Sequence, residues 1–143
     1  MQGTHETADE AATEALGARL WKTLRAPDCV LLNAPMGTGK TALARGMARA
    51  AGHVGEVPSP TYAIVQPYLT RPPLYHLDLY RLNSASELAE LGLDDMLDAG
   101  VVVAEWPERA DRWPEDALRV RGEILGDGRR RWTVSRGQQA RGR

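Results

Sequence analysis

Two stretches of the chain are apolar without interruption and too short for helices: Cys29-Val-Leu-Leu-Asn33 and Val101-Val-Val-Ala104. Runs of this kind are expected of strands buried on both faces of a parallel sheet. A glycine-rich turn follows the first. Thr41 to Ala51 then place Leu43, Met47 and Ala50 at helical spacing until Gly52 stops the pattern. Strand, glycine turn and helix form the first half of a βαβ unit. Upstream, Thr7-Ala-Asp-Glu10 has capping-box spacing, and Ala12, Leu16, Leu20, Trp21 and Leu24 form an apolar stripe. That pattern predicts a helix ending near Ala26-Pro27. Downstream of Pro58-Ser-Pro60 lie two β-like runs, Tyr62 to Leu69 and Leu74 to Tyr80, whose short Thr70-Arg-Pro-Pro73 link suits an antiparallel hairpin. Ser84-Ala-Ser-Glu87 opens a helical stretch through Leu88, Leu91 and Met96-Leu97, broken by Gly100. Leu118 to Leu125 and Arg131 to Ser135 alternate in polarity and are weaker strand candidates. The class is α/β.

Composition narrows this picture without changing it. The 143 residues are 43% hydrophobic and 26% charged, one domain's worth of sequence with an ordinary core fraction. No apolar run approaches the roughly 20 residues that span a bilayer, so no membrane association is expected. The first residues are acidic and alanine-rich, unlike a secretory leader. A single cysteine, Cys29, suits a reducing compartment and a core position, and the cytoplasm is the expected location. Charge is uneven: residues 126–143 carry six arginines and one aspartate, while residues 1–125 carry 12 basic and 18 acidic side chains. Such an acidic body argues against a protein that grips nucleic acid by itself. The basic end is open to two readings, a contact with RNA or a solvated, frayed terminus. Residues 1–125 read as one nucleotide-binding domain, and 126–143 as a basic segment, part strand and then tail.

The chemistry is concentrated in Ala34-Pro-Met-Gly-Thr-Gly-Lys-Thr41. It fits the phosphate-binding pattern G-x-x-x-x-G-K-[ST] except that Ala34 replaces the leading glycine. Gly37 and Gly39 let backbone N–H groups converge on an anion, and the helix that follows aims its positive end at the same spot. Lys40, one of only two lysines, supplies charge to the terminal phosphates, and Thr41 offers a hydroxyl to Mg²⁺. A P-loop NTPase-like sheet with flanking helices and an antiparallel hairpin is therefore expected. Such a cradle needs a carboxylate at the end of a neighbouring strand, and Glu105 has that place after Val101–Ala104. Asp78 shares a strand face with His76, which marks either a polar site or a solvated edge. Trp106, beside Glu105, packs either near the nucleotide or in the core; Trp21, Trp113 and Trp132 read as packing residues.

Five segments occur together in an order and spacing that resembles the TsaE (YjeE) family: Gly37-Thr-Gly-Lys-Thr41, Ser59-Pro-Thr-Tyr62, His76-Leu-Asp-Leu-Tyr-Arg81, Glu87-Leu…Leu91-Gly-Leu93 and Glu105-Trp106. The likeness covers roughly residues 7 to 125. The Ser-Pro-Thr-Tyr and His-x-Asp-x-Tyr-Arg segments are far more specific than the P-loop alone. The resemblance implies a cytoplasmic, Mg²⁺-dependent P-loop ATPase of tRNA threonylcarbamoyladenosine biosynthesis, weak by itself. It would work with TsaB-like and TsaD-like proteins and meet tRNA indirectly through that complex. The modified base would be the adenosine next to the anticodon in tRNAs reading codons that begin with A. By the same resemblance Lys40, Asp78 and Glu105 are catalytic, with Asp78 positioning the attacking water. The loop residues Met36, Gly37, Thr38, Gly39, Lys40 and Thr41 are expected to hold ATP, Thr61 resembles the threonine of a switch-like loop, and Trp106 is a further candidate beside the nucleotide. Thr41 and Glu105 hold Mg²⁺. The family usually has Gly-Asp-Leu where this chain has Ala34-Pro35-Met36. A small-molecule kinase, with Arg81 and Arg109 as its basic lid, is the alternative enzyme, and a nucleotide-sensing module without turnover is the alternative of another class. A guanine-specific reading lacks its Asn-Lys-x-Asp segment, because neither lysine is followed two residues on by Asp.

Overall fold

The computed structural model describes residues 2–57, 64–110 and 113–136. Seven strands form one mixed sheet in the order β1-β7-β6-β2-β5-β4-β3. Its middle is parallel: β2 (Asp28–Asn33) lies between β5 (Val101–Glu105) and β6 (Leu118–Ile124), and β4 (Leu74–Asp78) follows β5. The two apolar runs are thus β2 and β5, adjacent and shielded on both faces, as their composition requires. Antiparallel strands close both edges. β3 (Val65–Tyr68) pairs with β4, β7 (Arg130–Arg136) with β6, and β1 (Gly3–Thr7) with β7.

Helices cover both faces. On one, α1 (Glu10–Lys22) and α2 (Lys40–Ala51) bury Leu16, Leu20, Leu43 and Met47 against Val30, Leu32, Val101, Val103, Val120 and Trp132. Each such fully buried side chain contributes roughly 1.5–3 kcal/mol relative to exposure. On the other, α3 (Ala85–Glu90) and α4 (Leu93–Ala99) place Leu88, Leu93 and Met96 over Cys29, Leu31, Leu77, Val102 and Ala104. Two glycines set the spacing of α1 and α2. A Cβ on Gly17 would stand 2.1 Å from Leu43 O, and one on Gly46 would stand 1.9 Å from Glu14 O.

Several expected boundaries move. Thr7 does not cap α1. It ends β1, an edge strand that the polar sequence Gly3-Thr-His-Glu-Thr7 does not announce, and its hydroxyl accepts hydrogen bonds from Thr13 Oγ1 and Trp132 Nε1. The cap is Asp9, whose Oδ1 accepts from Ala12 N at 2.8 Å. That helix stops at Lys22, short of Ala26-Pro27. The helical stretch after Ser84 is two helices, because Gly92 adopts φ 88 between them. Ser84 makes no cap hydrogen bond, while Glu87 Oε1 accepts from Asn83 N at 3.1 Å. The expected strand Leu74 to Tyr80 ends at Asp78, and of Tyr62 to Leu69 the described part forms a strand at Val65–Tyr68.

Candidate active site

The site lies outside the carboxyl ends of the parallel strands, where β2 passes into α2. The loop Ala34–Gly39 makes that passage with Gly37 at φ 81 and Gly39 at φ 111, both in the left-handed region. Ala34 has no positive φ, so its Cβ is tolerated, and its methyl is buried against Gly122. Pro35 O accepts from Thr38 Oγ1 at 2.6 Å and Thr38 N at 3.3 Å, folding the loop back on itself. Gly39, the N-cap of α2, supplies no side-chain cap, and the first turn holds no acid. Its N–H groups are left for an anion, and the helix dipole favours one there.

Lys40 is only 8% exposed, and its ammonium is held from three sides. Nζ donates to Ala34 O at 2.9 Å, stands 3.7 Å from Glu105 Oε1 and lies 4.5 Å from the centroid of the Trp106 ring. Trp106 reaches that position with φ 58, the one positive φ outside glycine among the described residues. Such a conformation costs on the order of 1–3 kcal/mol for a bulky side chain and is retained where the surroundings enforce it. Tyr80 packs on the Trp106 ring with centroids 5.1 Å apart, and the Arg109 guanidinium lies 5.4 Å from the Tyr80 ring. Trp113 Nε1 donates to Pro107 O at 2.8 Å and steadies the turn after Trp106.

Asp78, Glu105 and Leu32 occupy one row across β4, β5 and β2. His76 and Asp78 therefore face the α1–α2 side together with Glu105, while Tyr75 and Leu77 pack on the opposite side. His76 is fully buried and its Nε2 lies 2.6 Å from Glu105 Oε2, so the imidazole marks a polar site and not a solvated edge. The carboxylate only accepts, so Nε2–H donates. At 3.7 Å, Glu105 Oε1 has a Coulombic contact with Lys40 but no hydrogen bond to it. Asp78 is half-buried and accepts from Tyr80 N at 3.1 Å. Burial pushes its carboxyl above the ordinary aspartate value; the Tyr80 N–H opposes this, and the charge of Glu105 reinforces it.

Among the described residues no cluster of three or more His, Cys, Asp or Glu side chains is placed to hold a metal. A Mg²⁺ ion needs only one or two protein oxygens together with substrate phosphates. Thr41 and Glu105 are donors of the right hardness. Thr41 also lines an open cavity of about 260 Å³ beside the loop, together with Asp9, Thr13, Gly37, Arg45 and Arg130. The Ser59–Tyr62 motif with Thr61 lies outside the described residues. Arg130 is a residue that sequence reasoning missed: its Nε donates to Thr38 O at 3.0 Å and its Nη2 to Gly37 O at 3.1 Å. No local signal distinguishes it from the arginines on either side of it in sequence.

A central parallel strand that ends in a glycine cradle, with a lysine behind it and an acid on the next strand, defines a protein of the P-loop NTPase class. A family model described as threonylcarbamoyl adenosine biosynthesis protein TsaE matches residues 7–132. The chain belongs to the TsaE family. It is 46% identical over 118 residues to a tRNA threonylcarbamoyladenosine biosynthesis protein TsaE of Streptomyces coelicolor, covering 78% of this chain and 80% of that one. A TsaE of Treponema pallidum is 34% identical over 125 residues, with 86% and 93% covered. The crystal structure of Bacillus subtilis YdiB superposes with a TM-score of 0.78 at 26% identity, over 99% of this chain and 90% of that one. No helix among the described residues is long and apolar enough to cross a membrane.

Proposed function

We propose that this chain is a Mg²⁺-dependent ATPase that serves threonylcarbamoyl modification of the adenosine next to the anticodon in tRNAs reading codons that begin with A. It acts in the cytoplasm with TsaB-like and TsaD-like proteins and meets tRNA through them. The observation that carries the nucleotide chemistry is the position of Lys40, poised behind the glycine cradle between Ala34 O and Glu105.

In this reading the N–H groups of Met36–Thr41 and the Lys40 ammonium bind the phosphates, and Thr61 joins them from the neighbouring loop. Lys40 moves from Ala34 O toward the terminal phosphate as negative charge develops there. Thr41 and Glu105 hold Mg²⁺, which when bound neutralises the phosphate oxygens. His76 keeps the Glu105 carboxylate oriented, Asp78 orients the attacking water, and Trp106 walls the site beside Lys40. Turnover by the isolated chain is slow and rises with partners that complete the stabilisation of the terminal phosphate.

Phosphate release by the parent and by Lys40→Ala, with and without TsaB-like and TsaD-like proteins, tests the reading. Contacts of this kind are worth about 3–4 kcal/mol in the transition state, a loss of about 10²–10³ in rate. Parent-like turnover by Lys40→Ala would defeat the ATPase assignment, and a rate indifferent to partners would defeat the subunit role.

A further inference from the structure

Arg130 opens β7 at a sequence separation of 92 from Thr38, yet its guanidinium is directed at the phosphate loop. Nε donates to Thr38 O at 3.0 Å, Nη2 to Gly37 O at 3.1 Å, and Nη1 to Gly128 O in its own hairpin turn. All three acceptors are backbone carbonyls. The C=O and N–H of one trans peptide point in opposite directions. Holding Gly37 O and Thr38 O at the guanidinium therefore turns the N–H groups of Thr38 and Gly39 away from Arg130. Thr38 N–H is accordingly turned across the loop toward Pro35 O. Within the loop the tie is the turn of Thr38 onto Pro35 O, and Arg130 adds one from outside it. Gly37 and Gly39 flank the two peptides, and glycine moves between backbone basins more freely than any other residue. The anchoring side is rigid, because β7 is hydrogen-bonded to both β1 and β6.

We infer that Arg130 is a positioning residue of the phosphate cradle, holding the Thr38 carbonyl so that the Gly39 N–H faces the anion, and holding the Gly37 carbonyl so that the turn of Thr38 onto Pro35 O is kept. This inference rests on reading Met36–Thr41 as a phosphate site. The planar fork explains the residue type: one guanidinium serves the two loop carbonyls and its own turn at fixed angles, whereas an ammonium would have to choose among them. Its charge, matched only by carbonyl dipoles among these contacts, also adds positive potential beside the loop.

The test compares parent, Arg130→Gln, Arg130→Lys and Lys40→Ala in full-length protein. Calorimetry gives affinities for ATP and for inorganic tripolyphosphate, and the amide resonances of Gly37, Thr38 and Gly39 are recorded without ligand. Arg130→Gln is expected to weaken both ligands about tenfold, with Arg130→Lys intermediate, because charge-assisted hydrogen bonds are lost. The three loop amides should shift in Arg130→Gln while amides of β2 and β5 stay in place. The inference is overturned if Arg130→Gln binds tripolyphosphate within twofold of the parent while Lys40→Ala loses tenfold or more. A lower melting temperature with unchanged affinity per folded molecule and unshifted loop amides would overturn it equally, by reducing Arg130 to a structural role. Parent-like tripolyphosphate affinity in Lys40→Ala would instead remove the phosphate site on which the inference stands.

Discussion

His76 Nε2 and Glu105 Oε2 lie 2.6 Å apart in the interior, joining β4 to β5 beside Lys40. Glu105 is 4% exposed, so its carboxylate depends on this donor and on Lys40 for the solvation it has lost. His76→Phe keeps an aromatic ring in the space and removes the donor. The expected cost is about 1–3 kcal/mol, the penalty for a buried polar group left without its partner, or a melting temperature lower by roughly 3–10 °C. Thermal melts of His76→Phe, Glu105→Gln and the double variant form a cycle. A coupling energy below about 0.5 kcal/mol would show that the two side chains do not depend on each other.

The contact of α1 with α2 yields a prediction of opposite sign to helix propensity. Alanine in place of a mid-helix glycine ordinarily stabilises by about 0.5–1 kcal/mol. At Gly46 the new Cβ would stand 1.9 Å from Glu14 O and 2.7 Å from Glu14 C, so backbone must move. Gly46→Ala is expected to destabilise by about 1–3 kcal/mol in urea unfolding, as overpacking does. It should also weaken ATP binding, since α2 carries Lys40 and Thr41 at its first turn. A more stable Gly46→Ala would mean that the helices separate without cost.

Legibility in the sequence follows the range of the forces involved. β2, the glycine turn and α2 are readable because strand burial, left-handed glycines and helical spacing are each written within a few residues. Lys40 and Glu105 were visible for the same reason, one in a loop pattern and the other at the end of an apolar run. β1 was not readable, because an edge strand with mostly exposed residues has no hydrophobic alternation to show. Thr7 has the spacing of a cap, but its hydroxyl is engaged by Thr13 and by Trp132, 125 residues away, and the cap falls to Asp9. Arg130 and the left-handed Trp106 escape for one reason: each is decided by what the folded sheet brings beside it.

Cys29 lies in β2 among Val and Leu side chains, and burial, with smaller effects of the Asp28 and Asp116 charges, pushes its thiol up to about 12. Native protein at pH 8 is therefore expected to resist a thiol reagent that labels it fully in urea. The folded value exceeds the unfolded 9.0, so the protonated thiol's share of stability is complete below pH 9 and is lost as pH rises toward 12. Over that interval Cys29→Ala should lose less stability than the parent. Native-state labelling at the unfolded rate would contradict the burial.

Asp78 is where stability and catalysis separate. Burial raises its carboxyl above the ordinary 3.8, so the folded state favours the protonated form. That favourable share is present below pH 3.8 and is lost as pH rises through the folded value, which leaves the ionised group a cost at neutral pH. Asp78→Asn keeps the shape and the Oδ1 acceptor for Tyr80 N but removes the charge. Its melting temperature at pH 7 should equal or exceed the parent's, with the difference shrinking toward pH 4. If the carboxylate orients the attacking water, the same variant binds ATP near-normally and hydrolyses it about 10²-fold more slowly in the presence of partners. A structural Asp78 gives the reverse pattern, a lower melting temperature with turnover per folded molecule retained. Unchanged turnover with partners would remove Asp78 from the reaction and leave Glu105 as the acid that acts on the water.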